Sequence, residues 1–407
     1  MRAVVVGGGL AGLAAALELI DGGWEVDLLE ARPTLGGAVQ TLPEREGDPE
    51  PPPDNGQHIA LGCFTEYLAF LARIGESGSV LRKRLALPVI AEDASVATIS
   101  SDPVSFLRYR HLTVRERLRV VRQVLALKRA PLDDTRTFAD LLGASARELD
   151  RFWDVFVRPA LNLGAREASA AMGVFTVRTA LLSGRSAGDL VLPLKPLGWM
   201  HGDAAGAALR EAGATVTTDA RVESLDDLDA DAVVVAVGPR ESARLLGEAE
   251  PELDDSPIVS VHLLFDRRIL AHPLAALLAT DAHWVFDRGA LTGHEPPAGG
   301  QYLTVVSSGV PELMELRGRE LVDRLAGQLT DRLGAAELLW SRVSREPYAT
   351  VALRPGVSRP GPDTSRPRVV RAGAWTDTGW PATMESAIRS GRAAVAALTT
   401  ERERILR

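Results

Sequence analysis

Apolar and polar positions switch between two periods within the first thirty residues, and the switch predicts a βαβ unit. Residues 3–6 (AVVV) are an unbroken, largely β-branched run, the pattern of a strand buried on both faces of a parallel sheet. Residues 10–22 (LAGLAAALELIDG) take the helical period and stop at Gly22-Gly23. Residues 25–30 (EVDLLE) return to a strand pattern. Further along, 231–237 (DAVVVAV) reads as another buried strand ending at Gly238-Pro239, and 369–372 as a short strand before an amphipathic helix over 381–398. The helical period also marks 65–75, 113–129 and 203–212, the last leading into a strand at 214–218. The stretch 137–185 is mostly helical, with breaks expected at Pro159 and at its glycines. Residues 258–265, 302–307 and 343–351 alternate like sheet strands, and the Pro-rich stretches 44–53 and 355–367 read as loops.

This order predicts an α/β fold: a discontinuous Rossmann-like dinucleotide-binding domain assembled from 1–90, 190–255 and 366–407. The intervening 91–189 and 256–365 are expected to form a second, mixed α+β domain with a helical lobe that holds substrate and faces the membrane. With 46% apolar and 25% charged residues, the 407-residue chain carries a sizeable core, which excludes disordered and disulfide-scaffold readings. A net charge of −8 argues against nucleic-acid binding, and a lone Cys63 cannot form an internal disulfide. The apolar start breaks at once at Gly7-Gly8-Gly9 and does not read as a signal peptide. No run of about 18 apolar residues is present, so no spanning helix is expected.

The chemistry-bearing signal is Gly7-x-Gly9-x-x-Gly12 between a strand and a helix, with Glu30 ending the next strand. Gly7 is expected to make the turn, Gly9 to let the backbone approach a pyrophosphate, and Gly12 to let the helix pack closely. The helix N-terminus at Leu10 and Ala11 offers free N–H groups to that pyrophosphate, and Glu30 can accept from a ribose diol. Pro381 suits a helix's first turn, so a helix is expected to start there and aim its positive end at the cofactor.

After Glu30 come Ala31-Arg32 and then Gly36-Gly37. This continuation resembles the amine oxidase and phytoene-desaturase flavoproteins, and the resemblance selects FAD as cofactor. Two further strings narrow it: Asp54-Asn-Gly-Gln57-His58 and Gly373-Ala-Trp375-Thr-Asp377-Thr-Gly-Trp-Pro-Ala-Thr383-Met384-Glu-Ser. Together they are similar to the squalene-associated FAD-dependent desaturases, also called hydroxysqualene dehydroxylases, along nearly the whole chain. The resemblance implies cofactor contacts from the diglycine, Gln57, Trp375, Thr383 and Met384, and an adenine contact from the backbone at Val222. Ala38 stands where the family usually has Arg, and Ala374 where it often has Asp. Arg32 is the candidate replacement for the first, and Asp377 or backbone groups for the second.

The implied activity is reductive dehydroxylation of hydroxysqualene, with Asp54 and His58 as the candidate catalytic polar groups. The alternatives are a carotenoid-type desaturase or isomerase and a non-catalytic isoprenoid-binding flavoprotein. Residues 104–130 hold eight Arg or Lys against one acid, with Leu112, Val114, Leu118, Val121, Leu125 and Leu127 as an apolar face beside Phe106, Leu107 and Tyr109. Such a basic amphipathic segment suits an anionic membrane surface, and a cytoplasmic, peripherally membrane-associated protein is expected. Gly184-x-Ser186-x-Gly188 matches a hydrolase elbow but follows a helical run, and the histidines show no metal-ligand spacing.

Overall fold

In the computed structural model, which describes residues 1–296 and 299–405, the β-branched amino-terminal run is the central strand of a five-stranded parallel sheet. Its strands are β1 (Arg2–Val6), β2 (Glu25–Leu29), β8 (Thr215–Thr217), β9 (Ala232–Val235) and β15 (Val369–Arg371), in the order β15-β9-β1-β2-β8. Val4 stands opposite both Asp27 and Val233, so β1 is buried between partners as its composition requires. Helices Leu10–Asp21 and Met384–Ile405 cover one face. They cross where a Cβ on Gly391 would lie 2.3 Å from the Ala11 carbonyl oxygen, so only glycine permits that approach.

The second sheet has seven strands: β5 (Ala86–Ile90), β6 (Val96–Ser100), β10 (Asp255–Phe265), β11 (Leu274–Leu277), β12 (Trp284–Asp287), β13 (Gln301–Ser308) and β14 (Leu338–Val351). The order is β14-β10-β13-β12-β11-β5-β6, antiparallel except between β11 and β5. β5 belongs wholly to this sheet, so the division made from the sequence at residue 90 falls after a strand of the second unit. A small antiparallel sheet, β3 (Ala60–Leu61), β7 (Leu190–Pro193) and β4 (Val80–Lys83), joins the two units. Val191 enters the first core while Leu190 and Leu192 enter the second.

The helical lobe packs about buried Phe138, Phe152 and Trp153, whose rings meet edge to face at centroid distances of 5.2–5.6 Å. Two expected helix boundaries shift. The helix Asp154–Leu161 runs through Pro159 and breaks only at Asn162, which takes a left-handed conformation while its amide donates to the Ser256 carbonyl at 2.8 Å. The last helix begins at Met384, not at Pro381, because Thr383 is the residue whose hydroxyl and carbonyl receive the first free N–H groups. Among the described residues no helix is long and apolar enough to cross a membrane.

Candidate active site

The glycine loop after β1 has the geometry its spacing predicts. Gly7 has φ +108°, and a Cβ there would sit 2.4 Å from the Ala236 carbonyl oxygen at the end of β9. A Cβ on Gly12 would come 1.9 Å from the Gly7 oxygen, so the helix is pressed against its own turn. Gly9 caps the helix and has room, its nearest such contact being Gly37 Cα at 3.6 Å. The diglycine loop is laid onto the first loop: the Gly36 N–H donates to the Gly8 carbonyl at 2.8 Å, and Gly37 has φ +62°. The Glu30 carboxylate accepts the Gly8 N–H at 2.6 Å and the Arg32 N–H at 2.8 Å, which fixes it beside the loop. The Ala220 N–H donates to the Glu30 carbonyl, which brings Val222 to the same edge, where its own carbonyl accepts from Arg244.

Above these loops lies a cavity of about 480 Å³. One part is walled by backbone and small groups: Gly9, Leu10, Ala11, Gly36 and Ala38, with Gly373, Ala374, Thr383 and Met384 opposite. Trp375 closes that side, its indole N–H held by the Val237 carbonyl at 2.9 Å. Two helix N-termini thus open on one cleft whose glycines leave no side chain in the way, an arrangement that fits the phosphates and ring of a dinucleotide. The other part is apolar, lined by Leu85, Leu87, Phe156, Phe175, Trp284 and Phe286. Asn55, Gln57 and His58 sit in the wall as well.

Residues 10–399 match the family described as flavin containing amine oxidoreductase. The chain belongs to that family. It is an FAD-dependent oxidoreductase, and FAD is the group for which the paired glycine loops leave space. The chain is 29% identical over 97% of its length to a hydroxysqualene dehydroxylase of Sinorhizobium fredii, covering 98% of that protein. A probable zeta-carotene desaturase of Synechococcus elongatus is 25% identical, over 98% of each chain. Among solved structures, a triple mutant of putrescine oxidase superposes with a TM-score of 0.75 at 17% identity, over 98% of each chain, and shares the fold.

The structure separates the two polar candidates. Asp54 is 1% exposed and is not part of the cavity wall. Its Oδ2 lies 2.7 Å from the guanidinium of Arg288, itself 2% exposed, and its Oδ1 accepts from the Thr41 hydroxyl and the Leu197 N–H, both at 2.8 Å. Burial nonetheless pushes its pKa up, against the pull of Arg288. His262, buried on β10, donates from Nε2 to the Asp54 carbonyl at 2.8 Å. The loop is therefore pinned from side chain and backbone alike. His58 does reach the cavity, and its Nδ1 has no hydrogen-bond partner among the described residues. Enclosure lowers its pKa more than the Asp54 charge raises it, so the imidazole is held neutral.

Asp377 is not placed to replace the family aspartate: it is exposed, absent from the cavity wall, and accepts the Gly379 N–H within its own turn at 3.0 Å. Arg32 is exposed at the same edge as Glu30. Cys63 lines the cavity with its thiol pushed up to about 11 by burial, an unreactive state. Ser186 lies in an exposed turn before β7, with no strand leading into it.

One carboxyl in the cavity was not legible in the sequence. Glu346 projects from β14, opposite Ile258 of β10, and is the acidic residue of the cavity wall. Burial raises its pKa, with Asn55, Arg32 and Ser344 opposing. The alternation of 343–351 marks a strand, but only the pairing with β10 turns this residue towards the cleft. The hydroxyls of Thr176, Ser260 and Thr350 join it in the cavity wall without protein partners among the described residues.

Proposed function

We propose that the protein is a hydroxysqualene dehydroxylase, working from a membrane surface on a C30 isoprenoid too insoluble to cross water. The observation that carries this reading is the continuity of a dinucleotide cleft with an aromatic and aliphatic chamber, in a chain similar over nearly all its length to a protein of that activity. The reaction removes a hydroxyl as water and puts hydride in its place, so one hydride and one proton are consumed. Reduced FAD, when bound, supplies the hydride.

The chain's own residues do the rest. Phe156, Phe175, Trp284 and Phe286 hold the polyene and exclude bulk water, which would otherwise compete for the developing allylic cation. Glu346 is our candidate proton donor to the departing hydroxyl, since its raised pKa keeps the proton available nearer neutral pH than an ordinary carboxyl would. His58, neutral with a free Nδ1, is the candidate acceptor that orients that hydroxyl. Asp54 acts through Arg288 and the loop it holds, as a positioning residue. Cofactor contacts are assigned to Gly7, Gly9, Gly12, Glu30, Ala31, Arg32, Gly36, Gly37, Ala38, Gln57, Trp375, Thr383 and Met384.

Anaerobic, photoreduced protein mixed with hydroxysqualene is expected to yield squalene as flavin absorbance returns, with Glu346→Gln slowing that reoxidation at least tenfold. Reoxidation without squalene, or no dependence on substrate, rules the reading out. The relationship to a zeta-carotene desaturase favours a second reading, carotenoid desaturation. In that case the oxidised protein would bleach with a carotene and stay unreactive, when reduced, towards the alcohol.

A further inference from the structure

Large apolar side chains exposed to solvent are few, and they are not scattered. Of the ten among the described residues, six fall within 29 consecutive positions: Val104, Leu107, Val114, Leu118, Leu125 and Leu132. On the helix Val114–Leu127 they share one line. At about 100° per residue, Val114, Leu118 and Leu125 fall within roughly 40° of one another. Val120 and Leu127, which enter the core, lie on the opposite side, roughly 200° round. The helix therefore has two apolar faces, and only one has a partner in the fold. A surface of this kind calls for a ligand of its own.

Charge says which. Six basic side chains in the same segment, Arg108, Arg110, Arg115, Arg122, Lys128 and Arg129, are exposed and make no ion pair among the described residues. Arg115, Arg122 and Arg129 flank the apolar line on one side, and Lys128 flanks it on the other. Two other arginines are structural. Arg119 pairs with the buried Glu148, and Arg117 donates to the Leu107 and Leu112 carbonyls, tying the helix to its neighbour Pro103–Arg108. Tyr109, expected from the sequence to enter the interface, is buried, and its hydroxyl donates to the Arg151 carbonyl at 2.6 Å. Phe106 stacks edge to face on Phe152.

We propose that this face docks on an anionic lipid bilayer, with Leu107, Val114, Leu118 and Leu125 dipping into the acyl boundary and the six free cations on lipid phosphates. A second copy of the chain fits poorly, since the cations of a self-complementary contact would face each other. The location serves delivery, which rests on the isoprenoid reading above. The buried face of the same helix shares a core with Leu85, Leu87 and Val155 of the cavity wall. Arg178 ties the helix end, through the Leu127 and Ala130 carbonyls, to the turn whose Thr179 and Leu181 line the cavity.

The test is co-sedimentation of holoenzyme with phosphatidylglycerol–phosphatidylcholine vesicles and with phosphatidylcholine alone. Binding is expected to the first only, with release at high salt. At about 1 kcal/mol per basic residue, roughly fivefold each, reversing Arg108, Arg115, Arg122 and Arg129 to glutamate should weaken partitioning at least a hundredfold. Leu107→Ser with Leu118→Ser and Leu125→Ser should weaken it about as much, separating insertion from bare charge attraction. Both variants should keep wild-type flavin loading and melting temperature, and wild-type turnover of detergent-dispersed substrate. Equal pelleting of wild type and either variant, binding to neutral vesicles alone, or a wild-type dimer that the leucine variant dissociates would each overturn the docking surface. Loss of squalene formation with vesicle binding intact would instead count against the substrate reading.

Discussion

The two parts of the cavity are built by opposite means. The dinucleotide part is made by loops and helices whose glycines let backbone approach backbone: Gly12 on Gly7, Gly37 on Gly9, Gly391 on Ala11. The apolar part is made by large side chains drawn from elements far apart in the chain, such as Leu87 on β5, Phe156 and Phe175 in the helical lobe, and Trp284 on β12. Where the absence of a side chain does the work, a single added methyl is decisive. Where bulk does the work, volume can be redistributed, so neighbouring activities can share the architecture.

The sharpest way to break this contrast lies within the first loop. Gly12→Ala puts a methyl 1.9 Å from a backbone oxygen and should destabilise the whole parallel-sheet unit, leaving little soluble, flavin-loaded protein. Gly9→Ala meets nothing closer than 3.6 Å, so it should keep its melting temperature within a few degrees while losing most FAD, measured as the 450-nm absorbance per protein. If both fail to fold alike, the distinction between packing and cofactor glycines is wrong.

Next in size is the pinned loop between the two parts. Asp54→Ala leaves Arg288 charged and buried without its partner and should cost about 3–5 kcal/mol in urea unfolding. Asp54→Leu combined with Arg288→Met should recover much of that, yet shift the flavin spectrum or its pH dependence if the loop positions His58. A spectrum identical to wild type would make the pair purely structural.

Acidification tests the buried histidines on both sides. His201 donates from Nδ1 to the Leu197 carbonyl and accepts the Tyr67 hydroxyl on Nε2; burial pushes its pKa down to about 4, and that of His262 to about 3. Both are neutral when folded but bind a proton near 6.5 when unfolded, so stability is full above that pH and falls as pH drops towards 4. Each should remove about 1.4 kcal/mol per pH unit in that window. His262→Gln should flatten the slope of the urea midpoint between pH 6.5 and 5, and an unchanged slope would place the proton uptake elsewhere.

The smallest expected effect is on stability at Glu346. Its raised pKa means the folded state holds the proton more tightly, so stability declines as pH rises above the ordinary carboxyl value of 4.5. Glu346→Gln should therefore be neutral at pH 4 and slightly stabilising at pH 8 by melting temperature, while the catalytic loss is large. A destabilised variant would mark Glu346 as a packing residue.

Residues 1–30 could be read directly, because a turn that demands positive φ or a methyl-free approach leaves its mark on consecutive residues. The hydrophobic period likewise located β1, β9, β10, β13 and the helices over 65–73 and 114–127. The strands β5, β6, β11 and β12 escape the period because they are only four or five residues long, and the pairing of β5 with β11 that joins the two local pairs spans nearly 190 positions. Asp54 and Asp377 looked equally available as polar residues in specific strings. Only tertiary structure sent one into an ion pair with Arg288, 234 positions on, and the other to the surface. The same limit applied to 104–130. Sequence alone determined that the segment was basic and amphipathic, because charge and period are local. Which of its two apolar faces entered the core, and that Tyr109 went inward while Leu118 and Leu125 stayed out, was decided by what Phe152 and the rest of the lobe presented to it, information that no local pattern carries.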